Sequence, residues 1–426
     1  IGAPRCLSVH PGGVVITPGP IEDYAPVQMA AKGVPIIQWE KDGAEDAGLV
    51  KIDLLGNRSL GVIRDAVNNV RENGLPFDER GWEPEDAPAA QETTAQGRTM
   101  GCFYIESPAM RLLQKRSGRG DFEHLVIHSS IIRPAANDFI REYLRRLKGG
   151  AWAPIHPVLA DILDETYGIM VYQEDVSKAA VAAAGFSHAE ADGLRKILTR
   201  KDRELVLDDY RTRFFDGARA QGLDEEKIRE IWEMMLSFSG YSFCKPHSAS
   251  YARVSFQAAH LKVHYPAEFM AAVISNQGGF YSTFAYVSEA RRLGAAILPP
   301  DVNLSQERWQ GRDREIRIGL MSVKNLGRET RRRILVERGE GFSGLEDFFF
   351  KVRPDEAEAR ALVHAGALDS LAPDLNRAQL LWTLARLRRK KDVPSDSGLF
   401  PDVDPVAPPL PAGPEIERLR LEFEVL

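Results

Sequence analysis

Cysteine is scarce in this chain: Cys6, Cys102 and Cys244 are the only three in 426 residues, far apart and with no CxxC pair. That excludes a disulfide framework and a cysteine-rich zinc site, and it points to a reducing compartment, read here as the cytoplasm. Long apolar runs are missing too: no stretch approaches the ~20 residues a membrane helix needs. No secretory pattern follows Ile1. A chain that opens on Ile1 inside folded-looking sequence is expected to be a fragment. An excess of positive charge is also lacking, with 55 Lys and Arg against 61 Asp and Glu and a net charge of −6. This argues against a wholly basic nucleic-acid binder. What is present is ordinary for a folded protein, 44% hydrophobic and 27% charged residues, at a length that allows two or three domains.

The distribution of charge says more than its sum. Acidic residues gather at 40–46, 78–92 and 355–358; basic ones gather at Arg111–Arg119, Arg141–Lys148, Arg195–Arg203, Arg328–Arg338 and Arg386–Lys391. Such blocks are either solvated helix faces or the lining of a groove for a polyanion, and charge alone leaves both open.

Residues 1–75 read as mixed α/β. A Gly-Gly turn leads into a β-branched strand at 10–20, Pro35–Trp39 is a second strand, and a helix runs through Leu60, Ile63, Ala66, Val67 and Val70 to stop before Gly74. After an acidic, Pro-bearing connection at 76–92, helices dominate to about 275. Ser187-His188-Ala189-Glu190 is a capping box, so a helix starts at His188, buries Ala191, Leu194 and Leu198, and turns Asp192, Arg195, Lys196 and Thr199 to a polar face. Ser248, in the polar turn 240–251, is the expected N-cap of a long helix to about His264 with a stripe of Val254, Ala258 and Leu261. His260 and His264 on that helix are four apart, a metal-ligand spacing, but no Glu lies between them and no third ligand is evident.

ILPPDVN at 297–303 is a stiff connector. Beyond it Val323-Lys324-Asn325-Leu326-Gly327 precedes a basic helix, the order in which a helix-hairpin-helix offers backbone N–H groups to a phosphate. Asn325 stands where glycine is usual, and Asn visits the left-handed region. Leu362–Leu371, with Gly366 at its turn, is a second, weaker unit. Residues 392–414 read as a disordered linker carrying one apolar pair, Leu399-Phe400, either a docking peptide or a stray pair that packs back.

The stretch with the most chemistry is GLVKIDLLG at 48–56. As a strand it puts Leu49, Lys51, Asp53 and Leu55 on one face and Val50, Ile52 and Leu54 on the other, an apolar face suited to packing on helices. A lysine and an aspartate on a buried-looking strand are costly unless used. A local ion pair is one reading. The other is a carboxylate holding a divalent metal with an ammonium beside it for phosphate oxygens.

HPGGVVI at 10–16, GLVKIDLLG at 48–56, IESPAMRLL at 105–113, ETYGIMVYQEDV at 165–176, AGFSHAEADGLRK at 184–196, GYSFCKPHSASYA at 240–252, LKVHYPAEFMAAVISN at 261–276 and ILPPDVN together resemble, in order and spacing, the bacterial DNA polymerase III α subunits, the C-family polymerases. The resemblance implies an α+β fold, mostly α. It would comprise the C-terminal part of a nucleotidyltransferase-type palm at 1–75, helical fingers at 76–296 and a tandem helix-hairpin-helix and clamp-binding region at 297–391. The linker with a clamp peptide would follow at 392–414, and the start of a truncated domain at 415–426.

It also implies template-directed nucleotidyl transfer from a dNTP to a primer 3′-OH with two Mg2+ ions. Asp53 matches the third catalytic, metal-binding carboxylate and Lys51 a lysine reaching the nucleotide. Arg195 and Lys196 match a paired-arginine position on the fingers, and Lys245, His247 and Ser248 match a KxHS turn near the nucleotide. Lys324, Asn325, Gly327, Arg328, Arg331 and Arg332 are the implied DNA contacts, and Asp396, Leu399 and Phe400 the implied sliding-clamp peptide. The implied partners are primer-template DNA, dNTP, the clamp and other replisome subunits, with no membrane.

Several positions depart from the pattern. Lys196 replaces an arginine, Cys244 an asparagine, Pro246 a serine of part of the family and Asp396 the leading glutamine; Arg133-Pro134-Ala135-Ala136 stands where many members have RPGP. The paired aspartates of the palm are not in this sequence, so the alternative to a polymerase piece is a non-catalytic DNA- or nucleotide-binding module. A tandem-hairpin repair protein is a third reading, which the fingers motifs disfavour.

Overall fold

The computed structural model describes residues 9, 12–31, 33–54, 57–132, 137–199, 204–237, 243–391 and 407–426. The chain forms two units, 1–61 and 62–426, and its fold is α+β, mostly α.

In the first unit β1 (Gly13–Val15), β2 (Val27–Met29), β3 (Pro35–Ile37), α1 (Lys41–Asp46) and β4 (Lys51–Asp53) make two short antiparallel ladders. β2 and β3 form a hairpin closed by Ala30 N–H on Val34 O at 2.9 Å, with Gly33 at φ 76° taking the left-handed turn position. β1 pairs with β4 in the register Gly13–Asp53, Val14–Ile52, Val15–Lys51. The strand is shorter than the glycine-bounded run suggests. Its apolar face, expected to pack on helices, is instead exposed: Val50 69%, Ile52 41%, Leu54 68%. The physical reason is the ladder, which is two strands wide with no helix of 1–61 laid over that face among the described residues.

The second unit has three hydrophobic clusters. The largest joins α2 (Arg58–Glu72), α3 (Pro88–Ala95), α4 (Pro108–Ser117), α5 (Phe122–Ile131) and α6 (Asn137–Leu147) to later helices. α2 buries Val62, Ile63, Ala66, Val67 and Val70, whereas Leu60 stands half exposed outside the stripe expected for it. A second cluster holds α7 (Ala160–Leu163), α8 (Gln173–Ala184), α9 (His188–Thr199), α10 (Glu204–Ala220) and α11 (Glu225–Leu236).

The central helix is α12 (Lys245–His264), packed on α3, α5 and α13 (Pro266–Ser275), with α14 (Thr283–Arg292) following. Because neighbours surround it, α12 buries Ala252, Phe256, Ala258, Ala259 and Leu261 and lacks the single stripe the sequence suggests. Ser248 is not its N-cap. Cys244 holds that position, Pro246 sits in the first turn where a missing N–H costs nothing, and Ser248 is buried with its Oγ 2.6 Å from Ser130 Oγ.

β5 (Ala296–Leu298), β6 (Gln310–Arg312) and β7 (Glu315–Arg317) form a sheet in the order β5-β7-β6, parallel then antiparallel. The third cluster unites α15 (Arg328–Glu337), α16 (Leu345–Val352), α17 (Glu356–His364), α18 (Arg377–Lys391) and α19 (Glu415–Val425). No helix among the described residues is long and apolar enough to cross a membrane.

One charge is sunk in the largest core. Lys262 Nζ donates to Met100 O at 2.7 Å and to Glu289 Oε1 at 2.6 Å, with the two side chains 2% and 10% exposed. Lys262→Met should cost about 3–5 kcal/mol in urea unfolding, because Glu289 stays buried with Arg292 as its remaining cation. Lys262→Met with Glu289→Leu should recover most of that loss; an equally unstable double variant would show that packing, not the stranded charge, sets the cost.

Candidate functional site

A cleft of about 690 Å³ opens where the N-terminal ends of α8 and α12 meet α9; Gln173, Glu174, Asp192, Arg195, His247 and Tyr251 are among the residues that line it. Each wall has a local cause. α8 is started by Asp175, whose carboxylate accepts from Val171 N–H at 3.0 Å and Tyr172 N–H at 2.8 Å, while burial pushes its pKa up to about 6. α9 starts with the expected capping box: Ser187 N–H donates to Glu190 Oε2 at 2.8 Å and Glu190 N–H to Ser187 Oγ at 3.3 Å. Ala191, Leu194 and Leu198 are buried as the spacing requires. Gly193 leaves room for the Tyr210 hydroxyl of α10, which a side chain there would push aside. α12 is joined to α8 through Lys245 N–H, which donates to Glu174 Oε2 at 3.1 Å.

Arg195, Lys196 and Lys245, the lysines and arginine named at the cleft, are each paired. Arg195 Nε and Nη2 donate to Asp192 Oδ1 at 3.0 and 2.7 Å, and Nη1 to Gln173 Oε1 at 2.8 Å. Lys196 Nζ lies 2.9 Å from Asp192 Oδ2. The Lys196 ammonium and the Arg195 guanidinium hold the Asp192 carboxyl below its usual range. Lys245 Nζ reaches Glu165 Oε2 at 2.5 Å and lies 5.4 Å from the centre of the Tyr172 ring. Such an arrangement can receive a polyanion by exchanging carboxylates for phosphate oxygens.

Of the residues singled out in the sequence, Arg195 and His247 line this cleft together. Lys196 joins through Asp192 and Lys245 through Glu174. Ser248 does not reach it, being buried against Ser130. Lys51 and Asp53 lie on β4 in the other unit. Residue 53 sits across the ladder from Gly13, which contributes no side chain to their shared face; the Asp53 carboxylate itself is outside the described atoms. Sequence reading placed Asp192 on the polar face of α9 without a role, although its i+3 and i+4 spacing to Arg195 and Lys196 was visible. Gln173 and Glu174 lie inside the motif at 165–176, but no spacing marks them for the cleft, since they meet their partners across the fold.

The hairpin turn at 323–327 has the expected shape, with Asn325 at φ 64° and Gly327 as the N-cap of α15. Four of its backbone donors, those of Val323, Lys324, Leu326 and Gly327, are engaged within the protein. Lys324 N–H donates to Val425 O at 2.8 Å and Gly327 N–H to Glu358 Oε1 at 3.0 Å, while Lys324 Nζ donates to Glu424 O at 2.9 Å. Arg331 is largely buried, 3.4 Å from Glu307. Arg328 is exposed, and so is Arg332, which holds Glu329 at 2.7 Å. The second turn has Gly366 at φ 77° packed beside Arg377 and Asp369. The His260 and His264 rings lie 4.4 Å apart, tilted by 42°, and burial, with His264 adding to it, lowers His260 to about 4. Among the described residues no group of three or more His, Cys, Asp or Glu side chains could hold a metal ion. Asp396, Leu399, Phe400 and the segment Arg133–Ala136 lie outside the described residues.

Three family models match in succession: the bacterial DNA polymerase III alpha NTPase domain at 1–56, the bacterial DNA polymerase III alpha subunit finger domain at 59–222 and a helix-hairpin-helix motif at 294–380. The chain is 37% identical over 439 residues to the DNA polymerase III subunit alpha of Neisseria meningitidis serogroup A, covering 99% of this chain and 38% of that protein. It is 37% identical over 447 residues to that of Thermus aquaticus, covering 100% of this chain and 36% of the relative. An error-prone DNA polymerase of Symbiobacterium thermophilum is 34% identical over 425 residues, 93% of this chain and 38% of that protein. The chain thus spans somewhat more than a third of the length of these relatives.

Proposed function

Since the chain belongs to the bacterial DNA polymerase III α-subunit family, we propose that it is the part of a template-directed DNA polymerase that carries one metal-binding carboxylate, the fingers and a DNA-binding hairpin region. Residues 1–75 are the end of the palm, 76–296 the fingers and 297–391 the hairpin and clamp-binding region. The linker at 392–414 carries the clamp peptide Asp396–Phe400, and 415–426 lead into a following domain. The enzyme works in the cytoplasm with primer-template DNA, dNTP, the sliding clamp and other replisome subunits.

The observation that carries this reading is the cleft where Arg195, on a helix inside the finger-domain match, meets His247, on a helix beyond its end, beside Lys196 and Lys245. Arg195 grips the triphosphate through its planar fork, and Lys196 adds a point charge. Lys245 and His247 close the other side, and Ser248 acts from behind by fixing α12 to α5. Lys51 stands beside Asp53 for the triphosphate. Asp53 is a hard oxygen donor suited to Mg2+, and the other ligands of a two-ion site come from outside this chain. When bound, two Mg2+ ions help form the attacking 3′-oxygen and neutralise the departing pyrophosphate.

The test is primer extension. The full-length polypeptide, with Mg2+ and the four dNTPs, should extend a primed template, and the 426-residue chain alone should bind it without extending it. Lack of extension by the full-length protein, or an upstream sequence with no strand bearing Asp-x-Asp, would leave the binding-module reading.

At the hairpin, engaged turn amides shift the DNA contact onto the exposed side chains of α15. Arg328→Gln with Arg332→Gln should weaken primer-template binding for all sequences and reduce the slope of log K against log salt by about 2. An unchanged slope would mean that this face of α15 meets only solvent.

A further inference from the structure

Asp192 lies against the donor edge of Arg195. Its Oδ1 accepts from Nε and Nη2 of Arg195, the edge of the guanidinium that also receives a phosphate, and its Oδ2 holds the Lys196 ammonium. Gln173 fixes the remaining side of the fork through Nη1 at 2.8 Å. One carboxylate therefore bridges both cations assigned to the triphosphate, and all these groups except Lys196 line the same cleft.

We propose that Asp192 is an internal stand-in for a phosphate, holding Arg195 and Lys196 in register until the polyphosphate tail of a nucleotide displaces it. This rests on the nucleotide-site reading of the cleft. Nothing in that reading requires a carboxylate here, since a negative charge among the binding cations opposes an anion.

Its effect follows from charge counting. A monophosphate gains little by exchanging with one carboxylate, whereas a triphosphate spans both cations and outbids it. Asp192 thus weakens binding of every anion, and of weakly charged ones the most, so that it favours a triphosphate over phosphates of lower charge. Because Asp192, Arg195 and Lys196 are all partly exposed, the exchange is cheap and reversible. The role is one of positioning, acting through Arg195.

The experiment titrates tripolyphosphate and orthophosphate into this chain at low salt, by calorimetry, for wild type, Asp192→Asn, Asp192→Glu and Arg195→Ala. Asp192→Asn should tighten tripolyphosphate binding about fivefold to tenfold and narrow the preference over orthophosphate. Asp192→Glu should restore wild-type behaviour, and Arg195→Ala should lose most of the binding. Helix α9 keeps its capping box in every variant, so unfolding midpoints should stay close together. Unchanged or weaker binding by Asp192→Asn, with Arg195→Ala still defective, overturns the stand-in alone and leaves Asp192 a brace of α9. No tripolyphosphate binding by wild type or Asp192→Asn overturns the nucleotide-site reading and the stand-in with it.

Discussion

Asp53→Asn in the full-length polypeptide is expected to abolish primer extension, lowering kcat on the order of 10³-fold or more, with primer-template affinity nearly unchanged. The substitution keeps the shape of the side chain and removes its charge. Backbone pairing is unaffected, because residue 53 meets Gly13 through main-chain bonds and Leu54 N–H donates to Gly12 O at 2.7 Å. What is lost is an anionic oxygen that can share a divalent ion with other carboxylates, and an amide oxygen replaces it poorly. The loss should fall on kcat more than on DNA binding, since the DNA contacts proposed above lie elsewhere, at the exposed Arg328 and Arg332 of α15. The measurement is single-turnover extension beside a fluorescence-anisotropy titration of the primed template. Near wild-type extension would remove Asp53 from the metal site and return Lys51 and Asp53 to a simple ion pair.

The parts of this protein readable from sequence are those whose cause is local. The capping box at Ser187 and Glu190 set the start of α9 to the residue, and the 3.6-residue spacing of Ala191, Leu194 and Leu198 set its buried side. Asn325 could be placed in a left-handed turn because only a few residue types go there. The failures share a tertiary cause. The local spacing of α12 predicts one apolar stripe and a Ser248 cap, but helices surround it. Ser248 was drawn inside to meet Ser130, and Pro246 moved the helix start to Lys245. The cleft was half legible: motif resemblance picked Arg195 and His247, while Gln173 and Glu174 enter from α8 through contacts no spacing announces. Lys262 and Glu289, 27 apart in sequence, could not be read as a buried pair at all.

Arg195→Ala in the full-length polypeptide should lower kcat/KM for dNTP by about 10²–10³-fold, while Arg195→Lys should recover only a small part. The fork of Arg195 is held by two groups from two helices, Asp192 of α9 and Gln173 of α8. A guanidinium so fixed meets phosphate oxygens in one orientation, and little side-chain entropy is lost when it binds. A lysine keeps the charge but not the fork. It could hold Asp192 or Gln173, not both, and would reach the phosphates as a loose point charge. The deficit should therefore appear in kcat as well as KM, because a misaligned triphosphate stands away from the attacking oxygen. Lys196→Arg, which restores the second arginine implied by the resemblance, should lower the KM for dNTP without changing the affinity for primed template. A deficit in Arg195→Ala confined to template binding, with dNTP kinetics intact, would put this cleft on the DNA path and not at the nucleotide.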